Sequence, residues 1–113
     1  MLNEGVGIEK NVQKAMYYFN MAIDKGNSDA MYNYAKILIS SKEVKRDSVK
    51  GIQMLKLAIS KGNADAMTYY AYLLRKGNFV TKNYSESIKY YKMAIDRGNS
   101  YAMYNYAIML EKG

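Results

Sequence analysis

The chain repeats itself every 36 residues, and this period constrains its fold more than any other feature. Gly-Asn recurs at Gly26-Asn27, Gly62-Asn63 and Gly98-Asn99. In the same 36-residue register, Ala-Met recurs at Ala30-Met31, Ala66-Met67 and Ala102-Met103, and Tyr-Ala at Tyr34-Ala35, Tyr70-Ala71 and Tyr106-Ala107. Self-similarity at this spacing is the mark of stacked supersecondary units, each too small to bury its apolar face alone.

Each unit reads as two helices. The first is expected over about Val12–Lys25, Ser48–Lys61 and Tyr84–Arg97, preceded by Asn11, Asp47 or Asn83 as N-caps. Glu86 follows Asn83 at the capping-box spacing. Gly26, Gly62 and Gly98 are expected to close these helices in the left-handed conformation, with Lys25, Lys61 and Arg97 at the negative helix ends. The following Asn caps a second helix, expected over Ser28–Ile39, Ala64–Lys76 and Ser100–Lys112, in which Asp29 and Asp65 complement the dipole from the first turn. At about 100° per residue, Ala15, Phe19, Ala22 and Ile23 share one face of the first helix, and Ala30, Tyr34, Ile37 and Leu38 one face of the second. The alanines at 22, 58 and 94 and at 30, 66 and 102 suit close helix approach. One apolar residue per linker, Ile8, Val44 or Val80, is placed to pin the crossing.

Composition then removes most chemistries. With no Cys and no His, disulfides, thiolate zinc sites and every imidazole-based base or triad are excluded. Asp29 and Asp65 have helix-start roles, so no enzymatic activity, metal or cofactor is expected. No apolar run reaches the length of a membrane helix, and the first residues lack the pattern of a signal peptide. The chain reads as soluble, with the cytoplasm the favoured compartment and nothing that marks it directly. The formal charge of +7 is spread over every unit, its densest run being Lys42 to Arg46, and reads as a solvated surface.

The pattern Lys-Ala-x-x-Tyr-Phe-x-x-Ala-Ile-x-x-Gly-Asn-x-x-Ala-x-x-x-Tyr-Ala, from Lys14 to Ala35, closely resembles the Sel1-like repeat, a relative of the tetratricopeptide repeat, and the resemblance covers nearly the whole chain. It implies an all-α, right-handed superhelix of helix-turn-helix units, whose concave surface meets protein partners in adaptors and scaffolds. One domain over 1–113 is expected, with repeats at 6–41, 42–77 and 78–113 and residues 1–5 ending a preceding unit. Ser41 replaces the closing Gly77 and Gly113. Gly51 stands where the pattern has alanine, so alanine there is expected to be tolerated, whereas valine at Gly62 would be forced into a left-handed helix end.

The expected function is a protein-interaction scaffold or adaptor that binds a protein or peptide, the alternative being single-stranded RNA binding by helical repeats. Tyr18, Met54 and Tyr90, and Met21, Leu57 and Met93, lie off the core stripe of the first helix yet stay apolar. They either pack between units or bind a partner. On the second reading Met21, Leu57 and Met93 line an adaptable groove, flanked by the varied Tyr17, Gln53 and Lys89. Nucleic acid is disfavoured by the dispersed charge. Met1 to Gly5 aligns with Met109 to Gly113 three periods on, so the chain is expected to be an excerpt of a longer array with ends that associate head to tail.

Overall fold

The computed structural model describes residues 11–40 and 47–112. Ile8, Val44, Ser41, Gly113, the run Lys42 to Arg46 and the segment 1–5 lie outside the described residues. Within them are six α-helices of 13 residues each: α1 (Val12–Asp24), α2 (Ser28–Ser40), α3 (Ser48–Ser60), α4 (Ala64–Lys76), α5 (Tyr84–Asp96) and α6 (Ser100–Lys112). They stack into a body of 46 × 29 × 25 Å.

The helices of each pair, α1/α2, α3/α4 and α5/α6, are joined by the Gly-Asn corner. Gly26, Gly62 and Gly98 have φ of +84°, +86° and +80°. At the middle corner Asn63 N donates to Ala58 O at 3.1 Å and Gly62 N to Ile59 O at 2.8 Å, the two bonds of a Schellman closure. Asn63 then begins the next helix, accepting from Ala66 N at 2.8 Å through Oδ1. Equivalent bonds occur at Asn27 and Asn99. One residue ends one helix and starts the next, which fixes the corner angle.

The other caps also form: Asn11, Asp47 and Asn83 accept from the amides of Lys14, Lys50 and Glu86. The capping box at Asn83 differs from expectation in one respect. Glu86 Oε2 accepts from the Asn83 side-chain amide at 3.2 Å, because the Asn83 backbone amide already donates to Leu74 O at 3.0 Å. Asp47 N makes the matching bond to Leu38 O. This bond ties the start of α5 to the end of α4 and of α3 to the end of α2.

The tightest packing lies across these links, α2 on α3 and α4 on α5. Met31, Ala35 and Ile39 of α2 pack with Leu55 and Ala58 of α3, and Ala66, Tyr70, Leu73 and Leu74 of α4 close the cluster from the other side. A second cluster joins Met67 and Ala71 of α4 to Tyr91 and Ala94 of α5 and Ala102 of α6. The second helices α2 and α4 therefore each bury two faces, where the sequence pattern indicated one. Val80 packs against the first cluster as expected. Ala30, Tyr34 and Leu38 are buried, whereas Ala15, Phe19, Ala22 and Ile23 are only half-buried.

The small residues of α3 and α5 set the closest approach. Ser87 is fully buried and donates to Ala71 O at 2.7 Å. Its counterpart Gly51 lies against Ala35 and Ile39, so that a Cβ there would meet Ile39 Cγ1 at 2.5 Å and Ala35 O at 3.2 Å. The expectation that alanine is tolerated at 51 is thereby corrected, because fully buried Ile39 occupies the space. Gly51→Ala is expected to lower stability by about 1 kcal/mol: overpacking of about 1–3 kcal/mol exceeds a helix-propensity gain of about 1 kcal/mol. Gly62→Val also falls, through left-handed strain. Urea midpoints measure both, and Ile39→Ala, which removes the obstructing methylene, should cost less in the Gly51→Ala background than alone.

Candidate functional site

The corner asparagines do more than cap. Asn63 Nδ2 donates to Asp29 Oδ1 at 2.8 Å and to Ser28 Oγ at 3.3 Å, and Asn99 Nδ2 donates to Asp65 Oδ1 at 2.8 Å. Each bond reaches back one repeat, so the first turns of α2, α4 and α6 are held in line. The third position of the Asp29, Asp65 series is Tyr101.

Alignment of these helices leaves one face of each pointing outward, and together the faces make a groove of about 340 Å³. Its walls are Tyr32 and Lys36 of α2, Asp65, Thr68, Tyr69 and Tyr72 of α4, and Tyr101 and Asn105 of α6. Tyr32 and Tyr69 meet edge to face, with centroids 6.2 Å apart, and Lys36 Nζ lies 4.5 Å above the Tyr32 ring. Thr68 Oγ1 is 3.0 Å from Ala64 O and 3.1 Å from Asn99 Oδ1, so its single proton serves one of them at a time. Asn105 donates to Tyr101 O at 2.8 Å, which holds its side chain to its own helix. The groove offers aromatic surface, hydroxyl and amide groups, one cation and one carboxylate. This suits adaptable binding of an amphipathic chain. Among the described residues no group of three or more Asp or Glu could hold a metal ion.

Of the residues singled out from sequence, Tyr17 (62% exposed) and Met21 (45%) lie on α1, and Gln53 and Leu57 (39%) are exposed on α3. Lys89 is exposed on α5, its Nζ 5.5 Å from the Tyr90 ring, while Met93 packs against the α4–α6 core. None of the six lines the groove. Met54 and Tyr90 also pack against core, Tyr90 edge to face on Tyr70 at 5.1 Å, whereas Tyr18 is exposed.

The groove had a sequence signal that burial reasoning passes over. Its positions vary between repeats: Asp29/Asp65/Tyr101, Tyr32/Thr68/Tyr104, Asn33/Tyr69/Asn105 and Lys36/Tyr72/Ile108. The positions between them, Ala30, Met31, Tyr34, Ala35 and Leu38, are identical in all three copies. Variable residues at i, i+3, i+4 and i+7 within a constant frame trace one helix face that packing leaves free.

These features define an all-α helical-repeat solenoid with a groove across its second helices. The chain belongs to the Sel1 repeat family, whose model matches residues 1–27, 28–63, 64–99 and 100–113. The matched segments share the 36-residue period, and the last three open at the starts of α2, α4 and α6. The structure is similar to c5321, a protective antigen of uropathogenic Escherichia coli with an SLR fold (TM-score 0.84, 24% identity, covering 96% of this chain and 23% of that one). It is also similar to a Sel1 repeat protein from Oxalobacter formigenes (0.79, 28%, 88% and 41%) and to Helicobacter pylori cysteine rich protein B (0.75, 23%, 83% and 71%). The chain spans less than half the length of the first two. No match was found among curated proteins. The likeness to the cysteine-rich protein is one of fold, reached here without any cysteine.

Burial raises the Tyr32 phenol from its ordinary 10 to about 12, with Asp65, Tyr69 and Tyr101 adding to the shift. The folded chain favours the neutral phenol, so this stabilisation is complete below pH 10 and is lost as pH rises through about 12. An alkaline absorbance titration should show a late-ionising group of tyrosines, since burial also raises Tyr69, Tyr70 and Tyr91. Tyr32→Phe should remove one tyrosine from that late group and flatten the loss of stability as pH rises through about 12.

Proposed function

We propose that this chain is a protein-interaction module that binds a segment of a protein partner in the groove over α2, α4 and α6. Proteins built of Sel1 repeats generally serve as interaction modules, typically scaffolding without catalysis. The observation that carries the reading is the coincidence of groove lining with the positions that vary between repeats. An RNA backbone is a poorer fit, since the groove balances Lys36 with Asp65. Among the described residues no helix is long and apolar enough to cross a membrane.

A second face supports a separate reading: Tyr17 and Met21 on α1 and Gln53 and Leu57 on α3 are exposed, with Lys89 at the corresponding place on α5 and Met93 beside it. Peptides selected against the chain from a displayed library discriminate the two. Tyr69→Ser with Tyr101→Ser should weaken them roughly tenfold or more, while Met21→Ser with Leu57→Ser leaves them bound. The opposite pattern would move the site to the α1/α3 face.

Head-to-tail association of copies is a further part of the proposal. Met103 is 46% exposed on α6, whereas its counterparts Met31 and Met67, at 2% and 1%, are covered by α3 and α5. Leu110 is likewise exposed, at 65%. The α1 face of a second copy, carrying Ala15, Phe19 and Ala22 at the positions of Gly51, Leu55 and Ala58, matches the missing cover. Sedimentation velocity should show concentration-dependent association that Met103→Lys abolishes; a monomer at every concentration would exclude it.

A further inference from the structure

Cationic charge that is scattered along the sequence converges at one place on the surface. Arg75 and Lys76 at the end of α4, Lys82 just before α5 and Lys112 at the end of α6 line one pocket of about 320 Å³, with Tyr84 and Met109 as its apolar wall. Among the described residues no carboxylate lines it. Glu111 lines a neighbouring depression with Tyr104 and Ile108, which Lys112 also borders.

Helix-end electrostatics accounts for Arg75, Lys76 and Lys112, which lie in last turns where cations complement the negative helix end. It does not account for Lys82, which precedes the N-cap Asn83 and so sits near the positive end of α5. Four like charges around one pocket repel, and an anion placed among them relieves that repulsion. Aromatic contacts hold three of the head groups: Arg75 Cζ and Lys76 Nζ are 5.4 and 5.9 Å from the Tyr72 ring centroid, and Lys82 Nζ is 5.1 Å from that of Tyr84. The Arg75 guanidinium also lies beside the buried Tyr91 phenol, whose ionisation it favours.

The pocket lies beyond the groove along α4 and α6, with no lining residue in common. Lys76 lies one helical turn beyond Tyr72 of the groove, and Lys112 two turns beyond Asn105, on the same helix faces. A segment lying along the groove thus passes from Asp65 at one end to the four cations at the other.

We propose that this pocket binds an oxyanion carried by a protein segment, either Asp/Glu carboxylates or a phosphate ester, with the adjoining residues of that segment lying against Tyr72. The anion site stands on the cation cluster, and only the placement of the adjoining residues rests on the groove reading. Fluorescence anisotropy with a short Asp/Glu-rich peptide, its phosphoserine counterpart and its Asn/Gln counterpart tests it, and the tighter of the first two identifies the oxyanion. The neutral peptide should bind roughly tenfold more weakly or worse. Lys76→Gln with Lys82→Gln should cost the acidic peptides roughly tenfold and reduce their salt dependence, while the charge-matched control Lys14→Gln with Lys92→Gln stays within about twofold. Circular dichroism checks that both variants fold. Inorganic phosphate followed by the NMR signal of the Met109 methyl separates the two readings. Saturable shifts that survive Tyr69→Ser but vanish in Lys76→Gln with Lys82→Gln uphold the anion site even if the groove binds nothing. Equal loss in the pocket and control variants, no binding of either acidic peptide, or tighter binding of a single-stranded RNA through the same lysines would overturn the proposal.

Discussion

Asn63 uses every polar group it has. Its backbone N–H closes α3 on Ala58 O, its backbone carbonyl accepts from Met67 N, its Oδ1 caps α4 at Ala66, and its Nδ2 reaches Ser28 and Asp29 of the preceding repeat. No other residue type supplies this set. Serine would cap but has no second arm, and aspartate would cap but would bring an acceptor against Asp29. At 7% exposure a lost partner would leave a buried polar atom unsatisfied, at about 1–3 kcal/mol. The Gly-Asn pair therefore sets both the angle inside a repeat and the alignment between repeats, and the remaining packing follows from that alignment.

With the corners fixed, α2 and α4 each have their surface divided three ways. In α4, Ala66, Tyr70, Leu73 and Leu74 go to the α3 side, and Met67 and Ala71 to α5. What remains, Asp65, Thr68, Tyr69 and Tyr72, is the groove. The packed faces rest on the constant Ala, Met, Tyr and Leu positions together with two that vary, Ile37/Leu73/Met109 and Ile39/Arg75/Glu111, and the third face is made of varied residues alone. Close approach of the following helix is limited by a small residue in each case, Ser87 of α5 bonded to Ala71 O of α4 and Gly51 of α3 seated against Ile39 of α2. The alternatives are coupled to their neighbours: where α5 carries Ser, α4 carries Arg75 in place of Ile39.

That exchange has an electrostatic consequence. Arg75 occupies a position that is Ile39 in the preceding repeat and Glu111 in the next, so the repeat brings a cation to the end of α4 at this copy alone. It lies beside the fully buried Tyr91, whose phenol is raised by burial and drawn partly back by the guanidinium. Lys82 and Lys112 then arrive from a linker and from another helix. Identity between repeats builds the scaffold, and departures from it build the surfaces that distinguish this array.

How much of this was legible in the sequence follows from the range of each interaction. Helix number and bounds, the left-handed glycines and the caps at Asn11, Asp47 and Asn83 are short-range features that a 36-residue register displays three times over, and the family resemblance rests on the same residues. Tertiary structure decided which faces met. Periodicity locates an apolar stripe but cannot say that α2 carries two of them, because Met31, Ala35 and Ile39 become buried only once α3 crosses at the angle its corner and its Gly51 allow. For the same reason the groove formed on the second helices, away from Met21 and Leu57, and the cations at 75, 76, 82 and 112 became one pocket. Distances between groups on different helices depend on crossing angles, and those angles are set by the summed packing of the whole stack, which no local pattern encodes.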